Sequence, residues 1–344
     1  MPTERVNYLE DPNILGLESL FGLLSIVNVI VLHYLMAVVI PYPLVVTWIQ
    51  LALGLLYTHV LGEFGVEYKD FNHFPPTRIF KEKLSELLIP SLAYLSMICS
   101  ANMLLARVPS VAMYPVVASF AIVAHHAARF FGCGQIYRPS RWVALGVILL
   151  GYFISAFDYF AVGGDVILLS LFFGLSTALY RAAFLERSLH ITRGLSSELY
   201  VHQAVIGIVL LPVVIILSRE RRFFTYMPTD FSRAWTWLMW GCLSTAASLP
   251  LLKNIVSNRL IRFSGQPPWR FLELFAIILV FVLGWAIFDR INGLSILAFG
   301  LVFVGRTLNT IDALRFDEAA APPFKFTGPG GNTDYHNMDN SPKV

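Results

Sequence analysis

The sequence predicts an all-α polytopic membrane protein: ten transmembrane helices arranged as a five-plus-five inverted repeat. Three observations carry this. The 344-residue chain is 56% hydrophobic and 14% charged, against roughly a quarter charged in an ordinary soluble domain. Its apolar residues fall in continuous runs that reach the roughly 20 residues a bilayer-spanning helix needs, without the alternation of barrel strands. Finally, one stretch occurs twice. ALGVILLGYFISAFD at 144–158 is echoed by AFGLVFVGRTLNTID at 298–312. Ala144, Gly146, Gly151 and Asp158 recur as Ala298, Gly300, Gly305 and Asp312, each 154 residues later. Two such periods use up the chain except for a polar tail, a pattern found in repeat-built membrane carriers.

Taken in order, the spans fall at 17–39, 43–61, 87–105, 110–131, 142–160, 165–185, 197–217, 234–252, 269–288 and 293–313. Pro41 and Pro43 separate the first two, because proline has no N–H to continue a helix. A long polar loop at 62–86 carries Pro75 and Pro76. Arg107, Val108 and Pro109 make a tight turn, Gly163 and Gly164 join the halves, and 219–233 is a polar loop. The first repeat is thus 1–161, the second 162–314, and 315–344 is a Pro-, Gly- and Asn-rich tail read as disordered and cytoplasmic.

Lys and Arg set the orientation. With the N-terminus cytoplasmic, sixteen fall on the cytoplasmic side and six on the other, so both termini are expected in the cytoplasm. Five spans per unit is odd, so the second unit enters upside down. The cluster Arg219, Arg221 and Arg222 breaks the charge rule locally. The polar, acid-containing N-terminus resembles neither a signal peptide nor a transit peptide. Cys99, Cys133 and Cys242 are too scattered for a disulfide framework or a zinc site.

Small residues in the fifth and tenth spans mark close helix packing. They read as a contact seam, within the chain or between subunits of a homodimer. Ionisable groups inside a span are functional candidates by default. Arg181 reads equally as a phosphate ligand or as a cation snorkelling to the interface. Tyr200, His202 and Gln203 open the seventh span, as site residues or as an interfacial belt. Arg270 and Glu273 share a helical face and either pair with each other or line a cavity beyond Pro267 and Pro268. Arg306 and Asn309 share a face of the tenth span, and Arg306 needs a carboxylate or a wet cleft. Tyr114 and Ser119 lie deeper in the fourth span, placed to hydrogen-bond a sugar or ribose. His33 reads as a satisfied core histidine. Motifs for nucleophilic, zinc or P-loop chemistry are missing, so no enzyme activity, cofactor, metal or nucleic-acid partner is expected.

Several stretches together resemble the nucleotide-sugar and triose-phosphate transporters of the drug/metabolite transporter superfamily. PYPLVVTWIQ at 41–50 resembles their FPYPLTLTxxQ. NMLL at 102–105 with VPSVAMY at 108–114 resembles NxxL followed by VSVAxY. YRPSR at 137–141 resembles the basic loop before the fifth span, and ALYR at 178–181 with LERSL at 185–189 resembles NAxYxxxxKKxL. The resemblance implies a Golgi or endoplasmic reticulum antiporter that exchanges a nucleotide sugar for a nucleoside monophosphate. It implies a small-molecule substrate, a central cavity and often a dimer. By similarity, the seventh-span FYNN motif falls on YVHQ at 200–203, the ninth-span lysine is absent near Arg270, and the fourth-span arginine pair is absent near Ser119. Arg181, Arg270 and Arg306 would then meet the phosphates. Tyr114, Ser119, Tyr180, Tyr200, His202, Gln203 and Asn309 would contact sugar or nucleoside. An organic-phosphate translocator and a non-transporting membrane scaffold of the same fold are the alternatives.

Overall fold

In an apolar medium a backbone finds no partner but itself, so long Leu-, Ile-, Val- and Phe-rich runs close their hydrogen bonds within helices. The computed structural model describes residues 12–67, 80–160, 164–192, 196–226, 233–264, 270–288 and 292–320, and these contain no strand. Among the described residues ten long helices carry the fold. They are α1 (Pro12–Tyr34), α2 (Pro43–Glu67), α3 (Leu88–Arg107), α4 (Phe120–Cys133) and α5 (Pro139–Phe160). Then follow α6 (Asp165–Leu179), α7 (Ser196–Leu217), α8 (Arg233–Ser264), α9 (Arg270–Phe288) and α10 (Gly293–Ala320).

Among the described residues eight stretches are long and apolar enough to cross a bilayer, and the chain is a multi-pass helical membrane protein. They coincide with eight of the ten expected spans. The two others lie in α8 and α9. At 32 residues α8 is about 48 Å long, well beyond 252, and its second half carries Lys253, Arg259 and Arg262. The apolar part of α9 among the described residues is Leu274–Ala286. The fourth span is not the continuous helix the sequence suggests. A 3₁₀ turn (Val111–Met113) and a short helix (Tyr114–Val117) precede α4, with a break at Ala118 and Ser119. Pro115 lacks the N–H that the Val111 carbonyl would receive in a straight helix.

The helices pair in a definite pattern. α5 packs along α10, and α2 against α7; α1 packs on α8 and α9, and α6 on α3 and α4. Exchanging each helix for the one five places away in chain order returns the same set of pairs. The α5–α10 seam shows this at atomic scale. A Cβ on Gly151 would lie 2.8 Å from the Ala298 carbonyl oxygen, and one on Gly305 would lie 2.9 Å from the Ala144 carbonyl oxygen. Only glycine admits so close a backbone approach. Gly146 and Gly300, also in the repeated frame, face open space.

The seam is closed at one end by a buried ion pair. Arg141 Nε donates to Asp312 Oδ2 at 2.9 Å, with side chains 7% and 5% exposed. The Ser140 hydroxyl donates to the other carboxylate oxygen. Polar groups also tie the interior. Asn102 Nδ2 donates to Thr47 Oγ1 (2.8 Å) and Gln50 Oε1 (3.0 Å), and Gln50 Nε2 donates to the Ala246 carbonyl (2.9 Å). These bonds join α2, α3 and α8, and all three side chains are buried. His33 is a core histidine, as expected: its Nδ1–H donates to the Leu105 carbonyl at 3.0 Å. That carbonyl cannot receive the usual bond from four residues on, because the residue there is Pro109.

The polar loop after α7 begins with a 3₁₀ turn, Arg219–Arg222. The one acid of this turn reaches across to α2. Glu220 Oε2 accepts the N–H groups of Leu44 (2.9 Å) and Val45 (3.1 Å). These are orphan donors of a helix start, where negative charge is favoured. Burial pushes the Glu220 carboxyl above the ordinary glutamate range, and the two N–H groups and Arg107 pull it back in part.

Candidate functional site

The inner end of α6 departs from α geometry. After Leu179 the backbone widens into a π-turn, Tyr180–Phe184, and becomes α-helical again at Leu185. Such π-bulges recur at functional sites, because they rotate successive side chains away from their helical positions. Here Tyr180 is buried and Arg181 is exposed. Gln203 on α7 donates from Nε2 to the Tyr180 hydroxyl at 2.9 Å. Tyr94 on α3 leans on Tyr180, with ring centroids 5.3 Å apart and planes tilted by 56°. Tyr94 also lies within electrostatic reach of Tyr200 on α7. The Tyr200 hydroxyl fills the space that a Cβ on Gly54 of α2 would occupy.

His202 lies on the same turn of α7 but on a different face from Tyr200. It is fully buried, and its Nδ1–H donates to the Glu198 carbonyl at 2.8 Å. A carbonyl only accepts, so Nδ1 carries a proton. Nε2 is buried without a hydrogen-bond partner among the described residues. Beneath it, Glu198 forms an ion pair with Lys83 at 2.6 Å, linking the start of α7 to the short helix Lys81–Glu86.

A second group gathers at the broken fourth span. Tyr114 lies within electrostatic reach of Arg306 on α10. Asn309, three residues beyond Arg306, has a buried Oδ1 with no partner among the described residues. Ser119 is buried and donates to the carbonyl of Val116 at 2.5 Å, which holds the break in α4 rather than presenting its hydroxyl proton to a ligand.

The structure therefore brings together two sets of the sequence-derived residues: Tyr180, Tyr200 and Gln203 in one, Tyr114, Arg306 and Asn309 in the other, with His202 buried on α7 beside the first. Arg181 borders the first set, within electrostatic reach of Tyr180. It is exposed and lies with Arg129 near His125. Arg270 opens α9, but its side chain lies outside the described residues. Among the described residues no cluster of three or more His, Cys, Asp or Glu side chains is arranged to hold a metal.

Chemically, the first group offers phenol hydroxyls and a carboxamide, which suit uncharged polar groups such as hydroxyls and nucleobase edges. The second adds one guanidinium, the natural partner of a phosphate. Two residues were missed from sequence. Tyr94 carried a weak signal, as a hydrogen-bonding aromatic in mid-span. Glu220 was hidden among arginines, although it is the single acid in an otherwise basic turn. No protein-family model matches the chain, and none of the curated proteins matches it either.

Proposed function

We propose that the protein is a membrane antiporter of the drug/metabolite transporter type, exchanging a nucleotide sugar for a nucleoside monophosphate across the Golgi or endoplasmic reticulum membrane. The observation that carries the reading is the helix pairing, which maps onto itself when helices five places apart are exchanged. The mutual glycine contacts of α5 and α10, at the same 154-residue offset as the sequence echo, support it in detail. Ten helices in two units of five then form an inverted repeat, with α8 and α9 as the two remaining spans. Inverted repeats place their substrate near the midplane and expose it alternately by rocking one unit against the other. Both termini lie in the cytoplasm on this reading.

Tyr180, Tyr200, His202 and Gln203 hold the sugar or the base, and Arg306 with Tyr114 and Asn309 holds the phosphate. Arg270 is a further phosphate ligand at the start of α9. The exposed position of Arg181 favours a second reading. Fewer interior cations suit a less anionic cargo, such as an organic phosphate, or a scaffold that binds none.

Thermal stability of the purified protein against nucleoside monophosphates and nucleotide sugars tests the proposal, because a ligand of the folded state raises the melting temperature by mass action. A shift with one base, given by both its monophosphate and a sugar conjugate, is expected. Counterflow in liposomes should follow, and Arg306→Ala should abolish it. A well-folded sample that responds to no nucleotide but to an organic phosphate moves the assignment to that cargo. Silence with both leaves the scaffold.

A further inference from the structure

We propose that the basic turn Arg219–Arg222 is a docking site for the phosphate of anionic lipid headgroups, held rigid at the edge of the bilayer. Only Ser218 separates the turn from the end of the span Ser197–Leu217. Arg219, Arg221 and Arg222 are all exposed, and no carboxylate pairs with them among the described residues. The acid that would neutralise them, Glu220, is turned inward to the N–H groups of Leu44 and Val45. The outward face of the turn therefore carries three guanidinium charges in four residues.

The turn is also fixed in place. The Ser218 hydroxyl oxygen accepts the Glu220 N–H at 3.1 Å and closes the turn. Phe223, just beyond it, is buried edge-on against Tyr42, with centroids 5.6 Å apart. Phe224 stands edge-on to Trp48 at 6.4 Å. With the Glu220 carboxylate, these contacts clamp the turn to the start of α2. A cationic surface already ordered loses less freedom on binding than a mobile loop would. Arginine also matches phosphate through paired N–H groups.

The neighbouring side chains decide which phosphate. Ile216 and Leu217 before the turn are 59% and 82% exposed, and Phe224 after it is 49% exposed. Apolar groups exposed on either side of an arginine cluster fit acyl chains below headgroups, whereas a purely aqueous anion would gain nothing from them. Any basic residue close to a bilayer surface is drawn to anionic headgroups within a Debye length.

The test uses the full-length protein and does not depend on transport. Native mass spectrometry of detergent-purified protein, with phosphatidylglycerol or phosphatidylcholine added, counts the lipid retained. The wild type should retain the anionic lipid in preference. The triple variant Arg219→Gln, Arg221→Gln, Arg222→Gln should lower its apparent affinity by roughly a hundredfold, since each arginine at an anionic surface contributes about fivefold. These exposed changes keep Glu220, and an unchanged melting temperature checks that the fold survives. A charge-matched triple, Arg129→Gln, Arg138→Gln, Arg187→Gln, should keep the preference. Equal retention of both lipids by the wild type would overturn the proposal, as would an equal loss in the two triple variants. Displacement of phosphatidylglycerol by inorganic phosphate would also overturn it, by showing a site for anions in water.

Discussion

Replacing Asp312 by Asn should cost far more than its small change in shape suggests. The carboxylate receives Arg141 Nε at 2.9 Å and the Ser140 hydroxyl, and both charged side chains are more than nine-tenths buried. Burial at this level leaves little solvent screening, so the discount that applies to surface pairs does not apply here. The asparagine side chain keeps the volume and one acceptor oxygen but removes the counter-charge, leaving a guanidinium buried beside a neutral amide. Removing one partner of a buried pair costs about 3 to 5 kcal/mol. The Tyr137 ring, 5.2 Å from the Arg141 guanidinium carbon, offsets a little of this, so about 3 kcal/mol is expected. Replacing both partners, as Arg141→Met with Asp312→Leu, removes the stranded charge and should recover most of the loss. Reversible unfolding of the purified protein, run as a double-mutant cycle, reads the coupling directly. A single-variant loss below about 1 kcal/mol, or a double variant no better than the single one, would refute the reasoning.

Three further outcomes follow from contacts elsewhere. Gly151→Ala and Gly305→Ala each drive a methyl to within 3 Å of a facing carbonyl oxygen and should destabilise by about 1 to 3 kcal/mol. Gly146→Ala and Gly300→Ala, with nothing within 4 Å, should be neutral or slightly stabilising in the same assay. His33→Leu strands the Leu105 carbonyl and should cost about 1 to 3 kcal/mol; Pro109→Ala in that background restores an N–H and should recover part of it. Because the Glu220 carboxyl lies above its ordinary range in the folded state, its contribution to stability grows as pH falls through the raised value, and is complete below the ordinary one. The melting temperature of the wild type relative to Glu220→Gln should therefore rise from neutral pH toward the ordinary glutamate range; a difference that falls on acidification would show the opposite shift.

Much of the architecture was legible because membrane helices obey two simple constraints, apolar length and the placement of small residues. Gly151 and Gly305 could be found by eye, since a close backbone contact favours glycine and the sequence echo presents the pattern twice. Gly146 and Gly300 share the frame without touching anything, so the echo by itself did not separate contact from inheritance. The break before α4 was less visible, because Ala118 and Ser119 are ordinary helix residues. The position of Arg181 was open from sequence because a π-turn shifts the register by one residue, and no local composition announces it. Tyr180 and Gln203, separated by 23 positions, are joined only by tertiary packing.

The carboxylate of Glu220 has a consequence for how the chain is made. It completes the start of α2 from 176 residues further on. At a synthesis rate of about 5 to 20 residues per second, the Leu44 and Val45 N–H groups wait roughly 9 to 35 s before their partner exists. Arg141 waits almost as long for Asp312, 171 residues away. The nascent N-terminal half thus leaves the ribosome with an uncapped helix start and a cation without its counter-charge. It is a half-built object that depends on its sequel, so a premature stop after α6 should yield material for quality control rather than a working fragment.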